Sequence, residues 1–229
     1  MPGASFGVAI NRGFGLTRRA LLAGGVLLAG CSTTATAPDF FPAPVMTPLP
    51  ITAGVRYTDE FRDYSYTEAF PGEHKWVVIM GSANVAMFNS ILDSVFQKTV
   101  PLDGTEAPRA LSRRVDVIIQ PEVESYEFAA PADWGTHSFT VWITYRINVL
   151  TPQGDLITSW PVRAYGESRH RLFSADESLA EATTMAMRDA GAYVSLHFDD
   201  EPRIREWLRE ESARMQSGPR FNRRPGERE

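Results

Sequence analysis

Between Ser138 and Leu150 apolar residues fall at every second position. Phe139, Val141, Ile143, Tyr145, Ile147 and Val149 alternate with Ser138, Thr140, Thr144, Arg146 and Asn148. Successive side chains of a β-strand point to opposite faces, so this segment reads as a strand with one face buried and one wet. Thr151-Pro152-Gln153-Gly154-Asp155 then has turn composition, and Leu156, Trp160, Val162 and Ala164 resume the alternation. The pair predicts a β-hairpin, and Pro161, which has no N–H for a ladder, puts its second strand toward an edge. Upstream, Val115, Val117, Ile119, Pro121 and Val123 share one phase while Tyr126 and Phe128 take the other. A bulge near Glu124–Ser125 accounts for the switch. Whatever this chain folds into must therefore cover one face of an antiparallel sheet.

Two helical stripes are available for that cover. Trp76-Val77-Val78-Ile79-Met80 reads as a short strand covered on both faces, and Gly81-Ser82 turns the chain with Ser82 as N-cap. Val85, Phe88, Ile91, Leu92, Val95 and Phe96 follow at helical spacing, ending before Pro101, with a loop from Pro101 to Pro108. Ser174-Ala175-Asp176-Glu177 matches a capping box, and Leu179, Ala182, Ala186, Met187, Ala190, Tyr193 and Val194 form the second stripe, through about Phe198. A shorter charged helix follows Pro202, from Arg203 to about Met215. The expected class is α+β: a small, mainly antiparallel sheet in the order strand–helix–three strands–helix, two helices packed on one face, and a C-terminal helix. This domain is expected over residues 55–200 and the charged helix over 201–216. Val55 to Tyr66 is either an aromatic-rich strand or a segment on the surface. Residues 217–229, with Gly, Pro and four arginines, are expected to be disordered.

The N-terminus has a different composition. Arg12, Arg18 and Arg19 precede an uncharged stretch from Ala20 to Gly30, which ends at the only cysteine, Cys31. A basic region, a short apolar stretch and small residues are the parts of a secretory signal, and the stretch is too short to span about 30 Å of hydrocarbon. Leu28-Ala29-Gly30-Cys31 resembles the lipobox of bacterial lipoprotein precursors. That resemblance implies cleavage of residues 1–30 and lipidation of the Cys31 thiol. Ser32, where enteric inner-membrane lipoproteins tend to carry Asp, implies the periplasmic face of the outer membrane. Thr17-Arg18-Arg19-Ala20-Leu21-Leu22 resembles a twin-arginine export signal, and the choice between that route and general secretion stays open. Residues 31–54, with prolines at 38, 42, 44, 48 and 50, read as a semi-rigid tether reaching some 60 Å from the membrane.

Removing residues 1–30 leaves 20 basic against 28 acidic residues. An acidic domain of this kind argues against nucleic acid as a partner. The chain lacks the nucleophile-elbow, phosphate-loop, Cys-x-x-Cys and His-Glu-x-x-His motifs. His74, His137, His170 and His197 are scattered, so no catalytic or metal site and no cofactor is expected from them. Asp199-Asp200-Glu201 could hold a divalent cation, but reads better as a solvated helix junction. Arg163, Arg169, His170 and Arg171, with Arg220, Arg223, Arg224 and Arg228, could meet anionic envelope polymers, although interspersed acids favour a solvated surface. Among Trp134, Trp142 and Trp160, Trp142 falls on the polar phase of its strand. It either marks an interface or packs under the N-terminal Tyr-rich segment, the second being preferred.

The order of elements over residues 70–198 looks like that of small envelope lipoproteins that assist larger machines, such as the lipopolysaccharide-assembly lipoprotein and the auxiliary lipoproteins of lipid-transport ABC systems. The likeness is topological and transfers no binding residues. It implies a non-catalytic accessory protein held by lipid on Cys31 and docked on an envelope protein. The alternatives are a lipid- or glycan-binding module and, more weakly, an unrecognised hydrolase. An exposed Trp142 or a bare sheet edge at residues 156–166 points to docking, and an apolar pocket points to lipid. A Cys31→Ser variant is expected to leave the membrane fraction on envelope fractionation; retention there would refute the lipid anchor.

Overall fold

The computed structural model describes residues 32–69, 74–131, 137–169 and 174–217. Eight strands and five helices occur among them: β1 (Ser32–Thr36), β2 (Leu49–Arg56), α1 (Asp59–Arg62), β3 (Ser65–Glu68), β4 (Lys75–Ile79), α2 (Gly81–Val95), β5 (Phe96–Leu102), α3 (Pro108–Leu111), β6 (Val117–Ala129), β7 (Ser138–Leu150), β8 (Leu156–Arg169), α4 (Ala175–His197) and α5 (Pro202–Ser217). They form a five-stranded sheet in the order β5-β2-β6-β7-β8 and a three-stranded sheet in the order β1-β4-β3. The class is α+β as expected, with a second sheet and parallel pairs that the strand count did not anticipate. Residues 1–31, on which the expected signal and Cys31 fall, Trp134, His170, Arg171 and residues 218–229 lie outside the described residues.

The long antiparallel core follows the alternation. Phe139, Val141, Ile143, Tyr145, Ile147 and Val149 of β7 are all buried. β7 pairs with β8 from Ser138↔Arg169 to Leu150↔Leu156 around a turn in which Gly154 takes φ +97°. β6 pairs with β7, and the register shifts between Val123 and Ser125, where the change of phase put a bulge. That shift returns Tyr126 to the buried face. Pro161 lies in β8, at the edge of the sheet. It shares its phase with Tyr165, whose N–H points away from β7 to Asp189 Oδ2 at 3.0 Å, so no ladder hydrogen bond is lost at the proline.

Both long helices cover the same face. Ala182, Ala186 and Ala190 of α4 are fully buried and stack at four-residue intervals. Opposite them is Gly166 of β8, where a Cβ would lie 2.1 Å from the Ala182 carbonyl oxygen and 2.4 Å from the Ala186 nitrogen. Helix and strand therefore meet backbone to backbone. α2 packs on α4 at Gly191, where a Cβ would stand 2.9 Å from Ile91 Cδ1. Phe88 of α2 meets Tyr145 of the sheet edge-on at 5.4 Å, and burying each such aromatic contributes roughly 1.5–3 kcal/mol.

Several expectations change. The 31–54 segment is not a free tether. Ser32–Thr36 is β1, parallel to β4 from Ser32↔Lys75 to Thr36↔Ile79, with Ala35 and Ala37 buried. No large apolar residue announces β1; the unpaired edge of β4 supplies its hydrogen bonds, and its small alanines tolerate the contact with α4. Residues 37–48 then form a strap over α2. Ser82 Oγ donates to Asp39 Oδ1 at 2.8 Å, and Ser90 Oγ to the Phe41 carbonyl at 3.1 Å. Ser82 is thus not the N-cap of α2, which begins at Gly81, where a Cβ would stand 1.9 Å from the Arg62 carbonyl oxygen.

α2 ends at Val95, and Phe96–Leu102 is β5, parallel to β2, so the expected loop after Pro101 is confined to residues 103–107. Pro101 is accommodated because β5 is the other edge of its sheet. The Tyr57 region is neither a single strand nor loose cover: α1 buries Phe61 and β3 pairs with β4. β4 fully buries only Val78, leaving Ile79 exposed. The Ser174 box does not close, since the Ser174 side chain makes no capping bond and its carbonyl instead accepts from Ser178 N and Oγ. The charged helix appears where it was expected, and the Glu201 carboxylate accepts the Ile204 N–H at 2.9 Å.

Gly166→Ala is expected to lower stability by roughly 2–3 kcal/mol, because the methyl group has only helix backbone to displace. An unchanged urea midpoint would show that the helix and strand do not meet in this way.

Candidate functional site

One face of the β6–β8 sheet packs on the helices, and the other carries the alternate residues. On that outer face Trp142 of β7 stands between Glu127 of β6 and Tyr165 of β8 in register. Trp142 is 44% exposed and Tyr165 46%. Their rings meet edge-on with centroids 6.1 Å apart at 60°, an arrangement that aromatic quadrupoles favour. The N-terminal tyrosines do not cover Trp142. Tyr66 packs at 4.9 Å on Tyr126, and Tyr57 stacks on Phe61 at 5.4 Å. The preference for a buried Trp142 is therefore corrected: that segment is drawn to the core by Phe61 and by β4.

Polar bonds hold this pair in place. Tyr165 Oη donates to Glu167 Oε2 at 2.8 Å, and Ser138 Oγ to Glu167 Oε1 at 2.6 Å. Those two hydroxyls, with Arg169 nearby, hold the Glu167 carboxyl below its ordinary pKa, and the same bond to Glu167 raises Tyr165. Glu167 is thus an ionised clamp with both oxygens occupied. Tyr165 was missed in the sequence, although it shares the outward phase of β8 with Pro161 and Arg163.

The other sequence candidates do not converge. His74 Nε2 lies 2.6 Å from Thr33 Oγ1, and His197 Nδ1 lies 3.0 Å from its own helix at the Tyr193 carbonyl. Among the described residues no group of three or more His, Cys, Asp or Glu is placed to hold a metal ion. Asp199 and Asp200 line an open depression of about 610 Å3 together with Arg205 and Arg209. Asp200 pairs with Arg205 at 2.9 Å, and Glu201 caps α5. Arg163 and Arg169 sit on the outward phase of β8 with Glu167 between them, so the described part of the basic group alternates in sign. Trp160 turns inward to Phe198, at 5.9 Å.

The buried polar groups serve the core. Tyr145 Oη donates to Asn84 Oδ1 at 2.8 Å. Thr183 gives its hydroxyl proton to the Leu179 carbonyl, so Tyr126 is the donor in its 2.8 Å bond to Thr183 Oγ1. Burial drives the pKa of Tyr126 and Tyr145 up, which keeps both neutral and out of proton transfer.

No family model matches the chain, and none of the curated proteins matches it. Solved structures overlap it loosely. A Xanthomonas campestris protein of the DUF330 family is 12% identical, covers 80% of this chain and 98% of its own, and gives a TM-score of 0.45. A Helicobacter pylori protein described as a neuraminyllactose-binding hemagglutinin homologue is 9% identical over 78% of this chain and 100% of its own, with a TM-score of 0.47. A Caulobacter crescentus protein described as a lipoprotein is 10% identical over 54% and 78%, with a TM-score of 0.34. Overlap this loose carries no functional argument.

Two tyrosine variants separate core from surface. Tyr145→Phe strips Asn84 Oδ1 of its buried donor and is expected to cost about 1–3 kcal/mol. Tyr165→Phe should change stability by no more than about 0.5 kcal/mol. Equal effects in denaturant titrations would contradict the assignment of one to the core and the other to the outer face.

Proposed function

We propose that this chain is a lipid-anchored lipoprotein on the periplasmic face of the outer membrane, working without catalysis as an accessory subunit that docks on an envelope protein through the outer face of β6–β8. The exposed Trp142–Tyr165 pair carries this reading. Trp and Tyr are the residues most often found at the energetic centre of protein interfaces, since they remove much apolar area from water while losing few rotamers. Here Glu167 already orients the Tyr165 ring, so binding has less side-chain freedom to remove. Carboxylates at 127 and 167 flank the pair, a polar rim to an aromatic centre of the kind interfaces use.

The lipobox resemblance supports the anchor. Among the described residues no helix is long and apolar enough to cross a membrane. Ser32, the residue after Cys31, is already the first residue of β1. A lipid on Cys31 would then hold the folded domain against the bilayer, instead of letting it range on a 60 Å spacer. The partner therefore has to come to the membrane surface.

A photo-crosslinking residue at Thr144, beside Trp142 on the outer face, tests the docking in intact envelopes. The expected product is one adduct of defined mass, reduced at least tenfold by Trp142→Ala. Recovery of only the free lipoprotein, or an adduct indifferent to Trp142→Ala, would overturn the docking reading.

A further inference from the structure

The strap and the two long helices enclose an apolar groove of about 360 Å3 on the side of the molecule opposite Trp142. Phe41 and Pro44 of the strap form one wall, and Met87 and Ile91 of α2 form the floor. The remaining wall is one face of α4, which begins at Arg188 and continues through Gly191, Ala192, Ser195 and Leu196. These positions recur at three- and four-residue spacing and so lie in line along the helix. The groove thus has a charged end and an apolar length.

Its polar inventory is short. Ser195 Oγ donates to the Gly191 carbonyl at 2.8 Å, which leaves the groove lining apolar beyond its charged end. Arg188 makes no hydrogen bond or ion pair among the described residues. On its other side Arg188 also lines a second depression together with Glu177 and Glu181, which bounds the charged end. At the far end of the groove Leu196 is 71% exposed, and the strap that walls it leaves Phe40 and Val45 uncovered as well. Water is a poor neighbour for such a patch.

We infer that this groove binds a single-chain anionic amphiphile, its carboxylate or phosphate on Arg188 and its alkyl chain along α4 toward Leu196. The volume lies in the range of small-molecule sites. Arg188 and Leu196, eight residues apart, span about 12 Å of helix, so about ten carbons of an extended chain lie in the groove. The rest of a longer one runs out past exposed Leu196. An unpaired guanidinium gains a charge-assisted hydrogen bond from an anionic head, and the alkyl chain gains about 0.8 kcal/mol for each CH2 removed from water. The protein's own lipid is a poor occupant. Ser32 and Asp176 share a depression at the start of α4, and Arg188 lies twelve residues further on, about 18 Å along the axis. A diacylglyceryl group on Cys31 would also bring no anion to Arg188, so the bound amphiphile is a separate molecule.

The test uses the full chain carrying Cys31→Ser, so that no attached lipid competes, and cis-parinaric acid, a fluorescent C18 carboxylic acid, with its alcohol as the uncharged control. Saturable binding of one acid per chain is expected. Arg188→Gln should weaken the acid at least tenfold while leaving the alcohol within about twofold. Ala192→Trp, at an exposed helix position facing the groove, should abolish both. Non-saturable uptake, or an acid affinity unchanged in Arg188→Gln, would overturn the inference. Should Ala192→Trp misfold by circular dichroism, the contrast between acid and alcohol in Arg188→Gln decides alone. Trp142→Ala should leave parinaric acid binding intact, so failure of the docking reading and failure of this one are distinguishable.

Discussion

The close seating of α4 on β8 at Gly166 governs the rest of this molecule. With helix backbone about 2 Å from where a Cβ would stand, α4 is drawn in by its alanine stripe until it lies directly on the strand. At that depth Asp189 reaches the free edge of β8 and takes the Tyr165 N–H. That bond occupies part of an edge that would otherwise be open to another strand. The same approach brings Gly191 against Ile91, so α2 is fixed through α4 as well as through Phe88 on Tyr145. A bulkier residue at either glycine would lift a helix away from the sheet and loosen everything packed beneath it.

Placing both helices on one side leaves the other face of β6–β8 to water or a partner except at its Ile118–Leu150 end, where Leu102, Leu111 and Val115 make a small second core. That face is not uniformly polar. Trp142 and Tyr165 stand side by side on it, across β7 and the edge strand β8, and Glu167 keeps the tyrosine ring in position through its two accepted hydrogen bonds. The opposite side holds a second uncovered apolar surface, formed because the strap crosses the junction of α2 and α4 without filling it. The two surfaces differ in kind. One is a flat aromatic patch on a rigid sheet, suited to protein contact, and the other is a slot with one cation at its end, suited to an alkyl chain. With the proposed lipid on Cys31, the immediate continuation into β1 would keep both close to the membrane.

The hairpin β7–β8, the bulge in β6 and both long helices are legible from periodicity, because each buries one face and exposes the other along its length. The outward phase of Trp142 is legible for the same reason. β1 and β5 are not. Ser-Thr-Thr-Ala-Thr has no large apolar residue to alternate, and it becomes a strand only because β4 presents an unpaired edge. β5 carries Pro101 and lies at a sheet edge, where few side chains are buried. The Ser174 motif matches a capping box in residue type, yet the helix start uses backbone and Ser178 instead, since two residues at the right spacing do not set the approach of the preceding chain.

By itself the amino-acid sequence determined the class of fold, the hairpin, the change of phase at Glu124–Ser125 and the outward direction of Trp142. Each of these is a local consequence of the 2.0 and 3.6 residue periods. Only the tertiary structure decided that the proline-rich segment is a strap and not a tether, that Trp142 is left uncovered beside Tyr165, and that Arg188 stands at the end of an apolar groove. Those features depend on which distant surfaces meet. Hydrogen-bonding edges and close glycine contacts settle that meeting, and neither leaves a periodic trace along the chain.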